Sequence, residues 1–88
     1  MKLEWDETKR RRTLDERGLD FADVARVDWD EALTLADTRR EYAEERFITY
    51  ARLNQRLCVI AWCHREDAVR IISLRKANKR ERQRHEQA

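Results

Sequence analysis

Proline is absent from this sequence, and glycine occurs once, at position 18. Chain reversals must therefore depend on capping side chains and on changes of hydrophobic period. Cysteine occurs only at positions 58 and 63, which is too few for a disulfide framework. At that spacing, the two thiols of an extended strand point to opposite faces and cannot pair. We therefore expect two unpaired core cysteines and a reducing, cytoplasmic setting.

Long apolar runs and metal-binding or nucleotide-binding motifs are also missing. No stretch approaches the roughly 18 apolar residues of a membrane span, and the start of the chain lacks the apolar core of a signal peptide. The sequence has no CxxC, HExxH, P-loop or GxGxxG motif. The spacing of its histidines and cysteines matches no common zinc pattern. We therefore expect no membrane association, no bound metal and no cofactor.

Charge is abundant and unevenly distributed. Charged residues make up 43% of the chain, and 20 basic against 18 acidic side chains leave a net charge of +2. Basic residues cluster in segments 9–12 and 70–88, and acidic residues cluster in segment 15–31. Clustered basic charge favours a polyanionic partner such as nucleic acid, and the alternative is a solvated charged surface without a ligand. At 88 residues, the chain should form one domain spanning 1–88.

The first third of the chain predicts two helices. Asp6 is a suitable N-cap for a helix over 7–17, because its side chain can accept a bond from an unpaired backbone amide. Gly18 is a suitable end for that helix, since glycine enters the left-handed region freely. Asp20 can cap a second helix over about 21–28.

The rest of the chain predicts strands and one more helix. Four segments have the alternation or the continuous apolar character of strands, namely 32–36, 46–53, 57–63 and 68–74. Asn54-Gln55 can make a hairpin turn, and the apolar run after it suits a central strand buried on both faces. Asn78 and Glu81 resemble a capping box for a C-terminal helix. The predicted fold class is α+β, with two N-terminal helices, an antiparallel sheet of three to four strands and a C-terminal helix.

Arginines, lysines and carboxylates are the side chains left for chemistry. Arginine binds phosphate bidentately and stabilises negative charge that develops in a transition state. RNA carries its own nucleophile, the 2′-hydroxyl, so its cleavage requires a base, cations at the phosphate and an acid for the leaving oxygen. Glu45 followed by Arg46 is compatible with that chemistry, although such pairs are more often surface salt bridges.

Several motifs resemble the BrnT family of toxins. They are Leu3-Glu4-Trp5-Asp6, Lys9, Arg17-Gly18-Leu19-Asp20-Phe21, Asp37-Thr38-Arg39, Glu45-Arg46-Phe47 and Arg70-Ile71-Ile72-Ser73-Leu74-Arg75-Lys76-Ala77 with the following Arg80-Glu81. The last segment is the most specific, and the similarity covers nearly the whole chain in order and spacing. The family often has histidine where Arg17 stands, and arginine cannot replace histidine as an acid or a base.

The resemblance implies a RelE-like fold and a metal-independent ribonuclease. Such a protein is the toxin half of a type II toxin–antitoxin module and inhibits translation. The implied partner is a BrnA-like antitoxin with a ribbon-helix-helix part, which would neutralise the toxin and bind operator DNA for the complex. Two alternatives stay open: a non-catalytic nucleic-acid-binding module of the same fold, and a protein adaptor without affinity for nucleic acid.

Positions matched to the family imply a set of site residues. The catalytic candidates are Glu45, Arg46, Arg70 and Arg75, with Glu45 as the base or the group that positions it, and Arg70 and Arg75 holding the phosphate. The candidate RNA contacts are Lys9, Arg17, Ser73, Lys76, Lys79 and Arg80. Strand alternation places Ser73 and Arg75 on one face and Arg70 on the other, unless a bulge intervenes.

Overall fold

The centre of the fold is a five-stranded mixed sheet, seen in a computed structural model that describes residues 2–86. Its strands are β1 (Lys2–Trp5), β2 (Leu33–Ala36), β3 (Arg46–Leu53), β4 (Arg56–Arg65) and β5 (Ala68–Lys76), in the order β1-β5-β4-β3-β2. Strand β1 runs parallel to β5, and all the other pairs are antiparallel. The helices are α1 (Glu7–Arg17) and α2 (Lys79–Glu86), with 3₁₀ turns at Phe21–Arg26 and Trp29–Glu31.

The predicted fold class is wrong in two respects. The chain begins with β1, a parallel fifth strand in a sheet that was expected to have three to four antiparallel strands. The second predicted helix, over 21–28, is a 3₁₀ turn of 6 residues. Strand β1 has no local signature, because its 4 residues are too few to show alternation and its partner Arg70 lies 66 positions after Glu4.

Local capping signals give the correct bounds for α1. The Asp6 carboxylate accepts the backbone N–H groups of Thr8 and Lys9 at 2.9 and 3.2 Å. Gly18 ends the helix with φ 70°, and its N–H donates to the Leu14 carbonyl at 2.9 Å. The predicted helix over 7–17 is therefore confirmed, because both of its ends are determined by residues adjacent in sequence.

The four predicted strands correspond to β2 to β5. Asn54 and Gln55 form the turn between β3 and β4 with φ values of 52° and 68°, a left-handed pair in which asparagine is among the tolerated residues. Strand β4 is the central strand and buries side chains on both of its faces. Cys58 and Cys63 lie in it, unpaired and fully buried, as the sequence predicts.

The two faces of the sheet are covered differently. On the core face, Phe21 and Val24 of the first 3₁₀ turn pack in one cluster with Ile60 and Leu74. Helix α1 has no buried residue and lies beside β5. The opposite face, termed the open face, has a smaller apolar cluster of Leu57, Val59 and Ala77, with Ile48 and Tyr50 packed against it. Helix α2 borders one end of the open face and leaves the rest of it accessible.

Candidate functional site

A bulge in β5 decides which basic side chains share the open face. Ala61 pairs with Ser73, but the next residue of β4, Trp62, pairs with Ile71, so Ile72 is an extra residue. An extra residue reverses the alternation of side chains along the strand. As a result, the open face carries Arg70, Ser73 and Arg75 together, paired with Cys63, Ala61 and Val59.

The central groove is a concave part of the open face with a volume of about 240 Å³. Its walls are Leu35, Ala36, Asp37, Thr38, Arg39, Ile48, Tyr50, Val59, Ala61, Ser73, Arg75 and Glu81. Arg39 reaches it from the loop between β2 and β3, and Arg75 reaches it from β5. Two arginines from distant parts of the chain therefore line one cavity together with Ser73.

Glu81 holds Arg75 at the rim of the central groove. Two parallel hydrogen bonds of 2.8 and 2.9 Å join the guanidinium to the carboxylate. Glu81 also completes the predicted capping box, since it accepts the Asn78 N–H at 2.9 Å while the Asn78 side chain accepts the Glu81 N–H at 2.8 Å. The Arg75 hydrogen bonds are the main reason that the pKa of Glu81 is lowered to about 2.

We expect Glu81→Gln to lower the free energy of unfolding at neutral pH but not near pH 2. The pKa of Glu81 is about 2 in the fold against 4.5 ordinarily, so its ion pair stabilises fully above pH 4.5 and loses its effect as the pH falls towards 2. Arg75 is 42% exposed, and solvent screening therefore limits the contribution to about 1–2 kcal/mol. Glutamine can preserve the capping box. Denaturant unfolding should give the wild type a larger free energy of unfolding than Glu81→Gln at neutral pH, and equal values near pH 2. A difference that does not change with pH would contradict the role assigned to the ion pair between Glu81 and Arg75.

Asp37 organises the loop between β2 and β3. Its side chain is 3% exposed and accepts two hydrogen bonds from the Arg39 guanidinium, at 2.8 and 3.0 Å, one from the Arg39 backbone N–H at 3.3 Å, and one from the Tyr42 hydroxyl at 3.0 Å. These bonds, above all those from Arg39, hold the pKa of Asp37 far below its usual range. The Tyr42 ring lies 4.2 Å from the Arg46 guanidinium. One buried carboxylate thus orients Arg39 towards the groove and fastens the loop to the start of β3.

Arg46 and Arg70 form a second basic group on the open face. Both pair with Cys63, one from β3 and the other from β5, so they lie in the same row across the sheet. Arg70 donates to Glu4 of β1 at 3.2 Å, and the Cys63 thiol lies 3.5 Å from Glu44. Burial raises the pKa of the Cys63 thiol, which disfavours the reactive thiolate.

Lys9 and Arg17 lie in a shallow groove between α1 and β5. This α1 groove, of about 160 Å³, also includes Arg12 and Ser73. The Arg17 guanidinium donates to the Leu74 carbonyl at 2.9 Å, which ties the end of α1 to β5. Because Ser73 also lines the central groove, the two grooves share a wall.

The remaining sequence-predicted residues lie outside these two grooves. Lys76, Lys79 and Arg80 are exposed at the end of β5 and the start of α2. Glu45 is exposed immediately before β3. Sequence reasoning missed Arg39, Tyr50 and Glu81 as groove residues. For Arg39 a signal was present in the Asp37-Thr38-Arg39 motif, whereas Tyr50 and Glu81 enter the groove only through the tertiary fold.

Neither a cluster of metal-ligating side chains nor a membrane-spanning helix is found among residues 2–86. In that range, no three His, Cys, Asp or Glu side chains are grouped so that they could hold a metal ion. None of the helices within the same range has the length and apolar character needed to cross a membrane. No histidine is among the described residues that line the central groove.

The fold and the site define a small α+β protein whose sheet presents an arginine-lined groove suited to a phosphodiester backbone. The family model for the ribonuclease toxin BrnT of type II toxin–antitoxin systems matches residues 5–81, and the chain belongs to that family. The family resemblance of the sequence motifs is thereby confirmed. A type II system pairs its toxin with an antitoxin, so an antitoxin is the expected partner. A comparison with curated protein sequences finds no match.

Proposed function

We propose that this chain is a metal-independent endoribonuclease toxin, a single domain spanning 1–88 that cleaves RNA in the cytoplasm and so inhibits translation. The observation that supports the proposal most directly is the central groove, which Arg39 and Arg75 line together with Ser73. Two guanidinium groups at one phosphate stabilise the negative charge that develops on its oxygens in the transition state. Membership of a ribonuclease toxin family supports RNA as the substrate.

Both arginines can bind phosphate while they keep their carboxylate partners. A guanidinium has more N–H donors than the two oxygens of one carboxylate engage. Asp37 and Glu81 hold the two guanidinium planes in place, so phosphate binding requires little further ordering of these side chains. The N–H groups not engaged by Asp37 or Glu81 are the donors that we assign to the phosphate oxygens.

In the proposed reaction, the ribose 2′-oxygen attacks the adjacent phosphorus and the bond from phosphorus to the 5′-oxygen breaks. The 2′-hydroxyl proton passes to a base, and the 5′-oxygen gains a proton as it leaves. The products end in a 2′,3′-cyclic phosphate and a 5′-hydroxyl. We assign binding of the reacting phosphate to Arg75 together with Arg39, and further stabilisation of its negative charge to Arg46 and Arg70, with Glu45 as the base or the group that positions it. Because Glu45 lies outside the central groove, this role requires the loop between β2 and β3 to bring its carboxylate within hydrogen-bond reach of that 2′-hydroxyl when RNA binds.

Five basic residues and Ser73 around the open face are the proposed contacts to neighbouring nucleotides. These RNA-binding residues are Lys9, Arg17, Ser73, Lys76, Lys79 and Arg80. The α1 groove supports the first three, because Lys9 and Arg17 share it with Ser73. Contacts of this kind position the RNA through its phosphates without reading its sequence.

For the partner, we propose a BrnA-like antitoxin with a ribbon-helix-helix part. It neutralises the toxin by direct binding and carries the contacts to operator DNA, so the toxin reaches that DNA only within the complex. Membership of a type II family supports the existence of the antitoxin.

A second candidate function is a nucleic-acid-binding module without catalysis. The absence of histidine among the described groove residues favours it, since histidine is the commonest acid or base near neutral pH. Such a module would bind RNA with a steep dependence on salt concentration and leave it intact.

The experiment that tests the proposal is cleavage of a structured RNA in EDTA by the wild type and by Glu45→Gln. We expect the wild type to release fragments that end in 2′,3′-cyclic phosphate. Loss of the carboxylate should slow cleavage by about 100-fold, at the low end of the effect of a general base because the side chain is exposed. Glu41→Gln, an exposed glutamate of the same loop, is the matched control and should cleave like the wild type.

The possible outcomes distinguish an error in the proposed ribonuclease function from an error in the choice of Glu45 as the base. Intact RNA with the wild type, together with salt-dependent binding, would establish the non-catalytic module. Cleavage that persists in Glu45→Gln would retain the ribonuclease and remove Glu45 from the reaction.

A further inference from the structure

Strand β2 is an unprotected edge of the sheet. It lies last in the strand order, so its outer backbone groups have no partner strand within residues 2–86, and all 4 of its residues are exposed. Segment 32–36 contains no charged residue, whereas β1 at the opposite edge carries Lys2 and Glu4. Charged side chains normally protect edge strands against pairing with another chain. The outer edge of β2 is therefore available for pairing with a strand from a partner chain.

An apolar groove lies beside this edge. Leu33 and Leu35 are 43% and 51% exposed, and they line the groove with Tyr50 on one side and α2 on the other. The charge of Glu81 is compensated by Arg75, while Arg84 makes no ion pair among residues 2–86. The groove is thus apolar with an excess positive charge, which is complementary to a segment that combines leucine-like and acidic side chains.

We propose that the antitoxin adds an acidic, apolar β-strand to the outer edge of β2 and seats its apolar side chains against Leu33 and Leu35. The inference rests on the proposed function, because it specifies how the antitoxin inhibits the site. Leu35 and Glu81 line both the apolar groove and the central groove. A strand bound at β2 therefore borders the cavity that holds Arg39 and Arg75 and obstructs the approach of RNA. Backbone pairing supplies affinity, and the leucine contacts supply register.

The test compares Leu33→Glu with Leu14→Glu. Both leucines are exposed to the same degree, 43% and 42%, but Leu14 lies on α1. The antitoxin is obtained by selecting the genomic fragment of the source organism that restores growth to cells expressing the chain. We expect Leu33→Glu to cleave RNA like the wild type and to bind the antitoxin roughly 10- to 100-fold more weakly. Leu14→Glu should bind within about threefold of the wild type, and amides of β2 should gain hydrogen-exchange protection in the wild-type complex.

Each alternative outcome has a definite meaning. Equal antitoxin affinity of Leu33→Glu and the wild type overturns the docking site and leaves the ribonuclease proposal standing. A wild-type chain that dimerises alone, with Leu33→Glu monomeric, assigns the edge to a second copy and also overturns the inference. A wild-type chain that neither cleaves RNA nor arrests growth refutes the proposed function, and the inference fails with it.

Discussion

Arg75→Ala is expected to slow RNA cleavage by roughly 100- to 1,000-fold, the usual effect of removing one donor that stabilises transition-state charge. Arg75 lies in the central groove on the open face, and its orientation is set by two hydrogen bonds to Glu81. Arg75→Lys keeps the charge without the planar fork and should recover part of the activity. The measurement is the single-turnover cleavage rate of a defined RNA at constant salt, because phosphate contacts depend on ionic strength.

Two control variants distinguish the loss of the Arg75 guanidinium from its side effects, which are a weaker α2 and one positive charge fewer. Arg75→Ala also breaks the contact to Glu81, whereas Asn78→Ala weakens the start of α2 by about 1 kcal/mol and keeps the guanidinium. Arg11→Ala removes one positive charge from a side chain that is 78% exposed on α1. Both controls should retain cleavage within about threefold of the wild type. Wild-type rates in Arg75→Ala would remove this residue from the site.

Phe21→Ala is expected to lower the free energy of unfolding by about 3–5 kcal/mol. Phe21 is fully buried and anchors the first 3₁₀ turn to the core face in the cluster that includes Ile60 and Leu74. A domain of this size has only about 4–13 kcal/mol of stability in total. The melting temperature should therefore fall by more than about 12 °C.

The matched control for this variant is Leu14→Ala. Leu14 is a large apolar side chain that is 42% exposed, so its truncation should cost less than about 1 kcal/mol. Thermal unfolding followed by circular dichroism compares the two variants directly. If Phe21→Ala melted within a few degrees of the wild type, the 3₁₀ turn would not be part of the stable core.

The central groove presents its positive charges already paired. Arg39 is bound by Asp37 and Arg75 by Glu81, each through two hydrogen bonds. Pairing orients the guanidinium groups, but it also reduces the net field that a phosphate meets. RNA affinity should therefore depend strongly on the unpaired basic residues around the groove, while the paired arginines act at the reacting phosphate.

Elements whose ends are set by residues close together in the chain could be predicted from the sequence. Asp6 and Gly18 give the bounds of α1, and Asn78 with Glu81 gives the start of α2, because caps are formed within a few residues. The apolar run of β4 predicted a strand buried on both faces, and its cysteines are buried as expected. The same reasoning failed for the first 3₁₀ turn, since a cap and an apolar stripe do not distinguish a short α-helix from a 3₁₀ turn.

The sequence did not predict which of the site residues share a face of the sheet. Regular alternation separates Arg70 from Ser73 and Arg75, and only the extra residue Ile72 brings all three to the open face. Arg39 stood in a recognised motif, but its place in the central groove depends on the buried Asp37 that holds it. Neither the bulge nor the burial of a carboxylate has a signature in composition or period.

Residue identity and short spacing are enough to predict the family, the helix caps, four of the five strands and the concentration of basic charge. The parallel pairing of β1 with β5, the shared face of Arg70 and Arg75, and the cavity between Arg39 and Arg75 exist only in the folded sheet. The parallel pairing and the cavity join residues far apart in the chain, and the shared face depends on a bulge that β5 forms against β4. Their energies come from packing and from hydrogen bonds that exist only once the sheet has formed.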